Sequence, residues 1–204
     1  MEYDTEILKC KLSKRGFRFT QFETPSEALT YISELIPDGS SIGFGGSKTV
    51  SEIGLLPFLQ NKNTYTLLHR DLFDAKDHEA LFRKMHVADW YITSTNALSV
   101  SGDLINIDGR ANRVAAMLNG PKNILVICGI NKIVKSIDEG IQRVRDVASP
   151  LNCRRLNKKT PCVVTGKCTH CNSPDTICNA TVIQHHPTIG SNVYIVLINK
   201  NLGF

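Results

Sequence analysis

Apolar positions along the chain switch repeatedly between a helical period and a strand-like one. Ile7, Leu8 and Leu12 share one face of a helix from Asp4 to Arg15, which Gly16 closes. Phe17 to Phe22 alternates apolar and polar residues, as a half-buried strand does. Thr24-Pro25-Ser26-Glu27 combines a capping Thr, Pro at the first helical position and Glu at the third. The helix it starts buries Ala28, Leu29, Ile32, Leu35 and Ile36. Further strands are expected at Ser40 to Phe44, Thr64 to His69, Trp90 to Thr95, Leu104 to Ile107, Thr181 to His185 and Val193 to Ile198. Further helices are expected at about Lys48 to Gln60, His78 to Val87, Asn112 to Leu118 and Ser136 to Ala148. Asn123 to Cys128 is apolar throughout, the signature of a strand covered on both faces. Strands alternating with helices predict an α/β fold, with a mostly parallel sheet between helical layers. Ligands of such folds sit at the carboxyl ends of the strands, so the loops there are the places to search.

Four such loops carry candidate chemistry. Gly43-Phe44-Gly45-Gly46-Ser47-Lys48-Thr49 follows a strand and opens a helix, with Thr49 and Glu52 spaced as a capping box. Glycines let a backbone approach a ligand, and free amides at a helix start favour anions. The loop is neither a dinucleotide fingerprint nor a Walker A motif, and a plain tight turn explains it equally well. Ser94-Thr95-Asn96-Ala97 ends the Trp90 strand and reads either as a ligand support or as an ordinary turn. Asp108-Gly109-Arg110-Ala111-Asn112-Arg113 offers Asp108 as a general base and Arg113 as a fork for phosphate or carboxylate. Its bland alternative is a turn with a surface ion pair. Gly129-Ile130-Asn131-Lys132 puts a lysine at the end of the most apolar strand, where it binds anions or simply faces solvent.

Charge and cysteine usage sharpen this picture. The net charge is +5, and no Asp or Glu occurs from Val147 to Pro174. Arg154, Arg155, Lys158, Lys159 and Lys167 lie in that window and equal the whole excess. So local a cluster disfavours a nucleic-acid partner, which calls for a broad basic stripe. It suits a solvated loop, an anion site or a counterweight to thiolates. Cys162, Cys168, Cys171 and Cys178 fall close together in a stretch from about 153 to 179 that lacks periodicity. In a reducing compartment such a group is more often a metal site than a disulfide framework. An iron–sulfur cluster, zinc and no metal all stay open, with His170, His185 and His186 as spare ligands. The chain of 204 residues is expected to form one domain, 1–204, with the Cys-rich segment as an insertion. Its longest apolar run, Ile124 to Ile130, is too short to span a bilayer, and the N-terminus lacks a secretory h-region. The chain therefore reads as cytoplasmic.

Taken together, these blocks resemble the lactate-utilisation (LUD) domain family. The resemblance rests on Gly43-x-Gly45-Gly46-Ser47-x-Thr49 with Glu52, Ala88-Asp89 with Thr93-Ser94-x-Asn96-Ala97, and Ile107-Asp108-Gly109-x-x-Asn112-Arg113-Val114-Ala115. Gly120-Pro121 and Asn131-Lys132 complete it, and Thr160-Pro161-Cys162, Thr165-Gly166-Lys167-Cys168 and Cys171-x-Ser173-Pro174 resemble a subgroup. The resemblance implies the three-layer sandwich of ribose-5-phosphate isomerases, glucosamine-6-phosphate deaminases and CoA transferases. In those relatives the loop equivalent to Gly45 to Thr49 holds a phosphate or acyl group. In lactate operons, LUD proteins work with an iron–sulfur subunit that helps oxidise L-lactate to pyruvate.

Two departures narrow the implied chemistry. The isomerases follow their Asp-Gly turn with further acids, whereas Arg110 to Arg113 follows Asp108 here. The CoA transferases use a catalytic Glu, and Glu52, the one acid near the glycine loop, is spaced as a cap. The leading expectation is a protein of 2-hydroxy-acid (L-lactate) utilisation, acting as or with an iron–sulfur redox enzyme. Asp108, Arg113 and Lys132 would be catalytic. Gly43, Gly45, Gly46, Ser47, Thr49, Asn96, Asn112 and Asn131 would bind a small anionic substrate. Cys162, Cys168, Cys171 and Cys178 would hold the cluster. The alternatives are a sugar-phosphate or acyl-CoA enzyme, and a regulatory module with structural zinc. An iron–sulfur partner subunit and a homo-oligomer are both compatible with the sequence.

Overall fold

A computed structural model describes residues 3–204. The chain folds as a three-layer α/β sandwich around a six-stranded parallel sheet. In chain order its strands are β1 (Arg18–Phe22), β2 (Ser41–Phe44), β3 (Thr66–Leu68), β4 (Trp90–Thr93), β7 (Asn123–Gly129) and β10 (Asn192–Ile198), ordered β1-β10-β7-β4-β2-β3. All neighbours run parallel, so their carboxyl ends share one edge. The two central strands explain the unbroken apolar runs. Ile124, Val126, Cys128, Val193, Ile195 and Leu197 pack on one face, whereas Leu125, Ile127, Tyr194, Val196 and Ile198 pack on the other.

The first face is covered by α1 (Thr5–Lys14), α5 (His78–Met85) and α6 (Asn112–Asn119), through Leu8, Leu12, Leu81, Met85, Ala116 and Met117. The second is covered by α2 (Pro25–Leu35), α3 (Lys48–Glu52) and α4 (Leu55–Lys62), through Ala28, Ile32, Val50, Leu55 and Leu59. The expected box at the start of α2 is present, with Glu27 N–H donating to Thr24 Oγ1 and Thr24 N–H donating to Glu27.

Three expectations change. The single helix from Lys48 to Gln60 is broken at Gly54, whose φ of 70° lies in the left-handed region that a helix cannot continue through. The helix from Ser136 to Ala148 runs longer: α7 (Ile137–Arg143), a π turn (Val144–Ala148) and α8 (Ser149–Arg155). Pro150 has no N–H to return to the preceding turn, and the helix widens just before it. As a result Cys153 sits on α8, and Cys162 on the short α9 (Pro161–Thr165), not in loop. The irregular stretch therefore begins at about residue 166.

The expected strand at Leu104 to Ile107 belongs to a second, four-stranded sheet rather than the parallel one. That sheet joins β5 (Ala97–Ser99), β6 (Leu104–Asp108), β8 (Ile133–Val134) and β9 (Ala180–Gln184), in the order β8-β5-β6-β9. β6 lies antiparallel to β5 and β9. Short strands of two or three residues, β8 and β5, give little periodicity for a sequence reading to use. Their consequence is large, because Asp108 pairs with Ala180 and pins the end of the Cys-rich segment beside the Asp108 turn. Among the described residues, no helix is long and apolar enough to cross a membrane.

Candidate functional site

The carboxyl ends of β2, β4 and β7 and the end of β6 surround one open cleft of about 680 Å³. Gly46, Ser47, Asn96, Asp108, Asn112, Arg113 and Lys132 all line it, so most of the residues singled out in sequence come together. Gly43, Gly45 and Asn131 lie behind its wall. A Cβ on Gly45 would stand 2.6 Å from Thr93 Oγ1 and 2.8 Å from the Tyr91 hydroxyl, so this glycine makes room for the sheet. A Cβ on Gly46 would meet nothing within 4 Å, and here the backbone is open to a ligand.

Lys132 is the centre of the site. It sits in a 3-10 turn directly after β7 and is only 3% exposed. Its Nζ donates to Thr49 Oγ1 at 2.8 Å, Ser94 Oγ at 2.9 Å and Thr95 O at 3.2 Å. No carboxylate forms a salt bridge with it among the described residues. Burial without a counterion pushes the ammonium down to about 7, helped by the Arg143 and Arg113 cations nearby. Near neutral pH it therefore exchanges between amine and ammonium.

Thr49 does not cap its helix, as its spacing suggested. Ser47 caps α3 by accepting from Val50 N at 3.1 Å, while Thr49 is fully buried and serves Lys132. Nor does Glu52 close a capping box. It accepts a hydrogen bond from Gly203 N, fixing the segment after β10 across the floor of the cleft. Asn131 fixes the same segment by accepting from Leu202 N at 3.0 Å.

Arg113 is a brace. It donates to Ser94 O at 3.0 Å, Asn106 Oδ1 at 2.6 Å, Asn96 Oδ1 at 3.2 Å and Ile107 O at 3.3 Å. Its Nε lies 3.2 Å from Asp108 Oδ2. Its two terminal nitrogens donate to these four acceptors, and the Nε contact with Asp108 is an ion pair without hydrogen-bond geometry, which leaves Asp108 Oδ2 buried and without a hydrogen-bond partner. Asp108 Oδ1 accepts from Ala111 N at 3.1 Å, holding Ala111 at a φ of 59° at the start of α6. Asn96 bridges the two sheets, accepting from Ile107 N and donating its own N–H to Asn106 Oδ1. This network locks the crossing from β4 to β5 against the Asp108 turn.

The remaining wall is cationic. Lys48, Arg70, Arg110, Arg155 and Lys158 line the cleft against the single further acid Asp71. Arg155 and Lys158 come from the acid-free window, which therefore faces the cleft. His78 and Phe82 come from the segment after β3, and Phe82 carries Arg110 over its ring at 5.2 Å. No local pattern marks Arg70, His78, Phe82 or Phe204, because each reaches the cleft from a loop, a short turn or an exposed helix face. Arg155 and Lys158 were visible only as charge.

A second cavity of about 230 Å³ opens behind α8. Cys153, Cys162, Cys168, Cys171 and Cys178 all line it, together with Arg145 and His170. His185 and His186 do not. They bind Asp103 and the Arg15 carbonyl on another side of the molecule. Thr176 lines both cavities. No disulfide forms, since all seven cysteines are free. Among the described residues, no three His, Cys, Asp or Glu side chains stand close enough to hold a single metal ion.

The chain is thus a three-layer α/β sandwich with a cationic cleft at the strand ends, the place where ligands of parallel α/β sheets bind. A family model described as the LUD domain matches residues 5–198, and the chain belongs to the LUD-domain family. That membership supports a role related to lactate utilisation. The fold is similar to that of a DUF162 family protein from Deinococcus radiodurans, at 16% identity and a TM-score of 0.56, covering 95% of this chain and 94% of that one. Partial likenesses reach eIF2B beta from Chaetomium thermophilum, at 14% identity and a TM-score of 0.39 over 56% of this chain and 44% of that one. Ribose 5-phosphate isomerase from Plasmodium falciparum gives 16% identity and a TM-score of 0.34, over 54% and 52%. No curated protein matches the chain.

Proposed function

We propose that the cleft binds a small carboxylate of the 2-hydroxy-acid class, with L-lactate as the reference substrate, in a redox system whose electrons leave through an iron–sulfur centre. The observation that carries this reading is Lys132, a buried lysine without a counterion on the floor of a cationic cleft. Arg70, Arg155 and Lys158 attract and hold the carboxylate. Lys132 Nζ, in its amine form, accepts the proton of the substrate hydroxyl, leaving an alkoxide beside an ammonium, and Thr49 and Ser94 keep that nitrogen in place. Asp108 and Arg113 position these groups by fixing the loops. An iron–sulfur centre, when bound, supplies one-electron transfer.

The cleft volume favours a second reading. About 680 Å³ suits a drug-sized ligand, and lactate would fill a small part of it. A phosphorylated substrate, such as a sugar phosphate, would use both the volume and the spread of cations. Calorimetric titration with L-lactate, pyruvate, inorganic phosphate and ribose 5-phosphate separates the two. Binding of the carboxylates, lost in Lys132→Met, supports the first. Binding confined to the phosphates replaces it with the second.

A further inference from the structure

We infer that Cys162, Cys168, Cys171 and Cys178 of this chain hold an iron–sulfur cluster, and that Cys153 and Thr160 act on it through the Cys162 sulfur. The inference deepens the redox reading above by giving the cluster a place in this chain, and it rests on that reading for its purpose; the cavity carries its geometry.

Five sulfurs line one cavity, and the rest of the chain contributes only two cysteines elsewhere, Cys10 and Cys128. The volume of about 230 Å³ is several times the ~30 Å³ of a single water, room for a many-atom core. Four thiolates on one zinc, each near 2.3 Å from the metal, would crowd together. Here the cysteines line the space from α8, α9 and the irregular segment, and among the described residues no three side chains already form a single-ion site. Arg145 lines the same space, placing positive charge where a thiolate-bound cluster would be net negative, and bonds the His170 ring there.

The segment carrying these ligands is short of other support. Residues 166–179 contain no helix or strand and are tied at a few points. Asp175 accepts from Lys159 N at 2.8 Å and Lys158 Nζ at 3.2 Å, and Ser173 Oγ donates to Lys159 O at 3.2 Å. At the far end, Asn179 Nδ2 donates to Gly109 O at 2.9 Å. Between Cys168 and Cys171, Arg145 bonds the His170 ring and His170 N donates to Cys168 Sγ at 3.4 Å, so scattered side-chain ties, and no helix or strand, hold the segment.

Cys153 differs from the other four. It is 1% exposed, on a regular helix, and lines the cavity beside Cys162 and Thr160. Thr160 Oγ1 lies 3.2 Å from Cys162 Sγ. A thiol and a hydroxyl beside a ligand sulfur tune a cluster's potential without binding iron. Assembly needs no outside oxidant when ferrous and ferric iron are supplied with sulfide. The four thiols release their protons to solvent, and the two valences of iron enter the cluster as supplied.

The test is anaerobic reconstitution of the full chain with ferrous and ferric iron and sulfide, followed by iron, zinc and acid-labile sulfide analysis, a visible spectrum and electron paramagnetic resonance. A brown protein with at least two irons per chain and matching sulfide is the expected result. Cys171→Ser and Cys178→Ser should lose the colour, whereas Cys128→Ser keeps it. Cys153→Ala should keep the iron and shift the midpoint potential. Stoichiometric zinc without sulfide, or no retained metal in a folded wild-type protein, overturns the site. Loss of iron in Cys153→Ala, with retention in Cys178→Ser, overturns the ligand set. Far-UV circular dichroism shows that each variant is folded. Calorimetric titration of the same samples with inorganic phosphate and L-lactate tests the cleft separately. Anion binding without iron rejects this inference alone, and iron without anion binding rejects the cleft reading alone.

Discussion

The cleft and the cysteine cavity lie on opposite sides of α8, yet they are built in opposite ways. In the cleft, the groups that matter are held by strands and by each other. Lys132 has three acceptors, and Arg113 donates to four acceptors and pairs with Asp108. Such a site exists before any ligand arrives. In the cavity, Cys168, Cys171 and Cys178 come from an irregular segment held by scattered side-chain ties. Ordering that segment costs conformational entropy that its small apolar burial does not offset. One region is preorganised by the fold, and the other has no helix or strand of its own to hold it. The contrast gives four expectations.

The largest effect belongs to the brace. Arg113→Ala leaves Asp108, Asn106 and Asn96 without their shared partner, and removing one partner of a buried ion pair costs about 3–5 kcal/mol. Urea denaturation at pH 7 measures this loss, and Arg113→Lys should restore little because an ammonium cannot serve the same fork. A loss below about 1 kcal/mol, close to that of an ordinary surface substitution, would remove the claim that the cleft is preorganised by this network.

Next comes Lys132. Lys132→Met should lower turnover by on the order of 10²–10⁴-fold, the usual worth of a general base. The rate in the wild type should rise with pH through about 7, as the ammonium becomes an amine. Stability carries the same signature. The folded lysine releases its proton near 7, while the unfolded one keeps it to about 10.4. Between those values the unfolded state binds more protons, so stability rises with pH, and the contribution is lost again below 7. Denaturation midpoints at pH 6.5 and 9 should show that rise, and Lys132→Met should flatten it.

The cavity should respond locally. Stripping the proposed cluster from reconstituted protein with a chelator, or substituting Cys168→Ser, should raise hydrogen exchange across residues 166–179 and leave Ile124 to Cys128 protected. The urea midpoint of the core should move by less than ~1 kcal/mol, since the packed layers lie outside the segment. Equal deprotection of the central strand would mean that the two regions unfold together.

The smallest effects are on the cationic rim. Arg155→Ala and Lys158→Ala should each weaken phosphate binding two- to five-fold, about 0.5–1 kcal/mol for a partly exposed charge. The loss should fade in high salt, because exposed charges are screened. Titrations in low and high salt read this directly, and a salt-independent loss would place either side chain in direct contact with the ligand.

The parallel sheet was legible because its strands have a simple pattern. Asn123 to Cys128 is apolar at every position, and Thr24 to Glu27 announces its helix outright. The strand-end loops were legible for the same reason, so Gly46, Ser47, Asn96, Asp108 and Lys132 could be placed at one edge. Roles were harder. Thr49 and Glu52 have the spacing of a cap, and nothing local distinguishes a capping hydroxyl from one that receives a distant lysine. Arg113 has the chemistry of an anion fork in any sequence. Only its five neighbours, drawn from segments 94–96 and 106–108, turn it into a brace.

The local pattern of the chain therefore determined the elements, the order of alternation, the Cys-rich segment and the residue types at the strand ends, because these follow from neighbours a few positions apart. Tertiary structure decided the rest. The short β5 and β8 gain their hydrogen bonds only once β6 lies beside β5 and β5 beside β8, and that second sheet carries Asp108 to the cleft and, through β9, pins the end of the Cys-rich segment. The lowered proton affinity of Lys132 has the same origin. A lysine after an apolar strand is an ordinary cation until Thr49 of α3 and Ser94 and Thr95 of the loop after β4 close around it and exclude water.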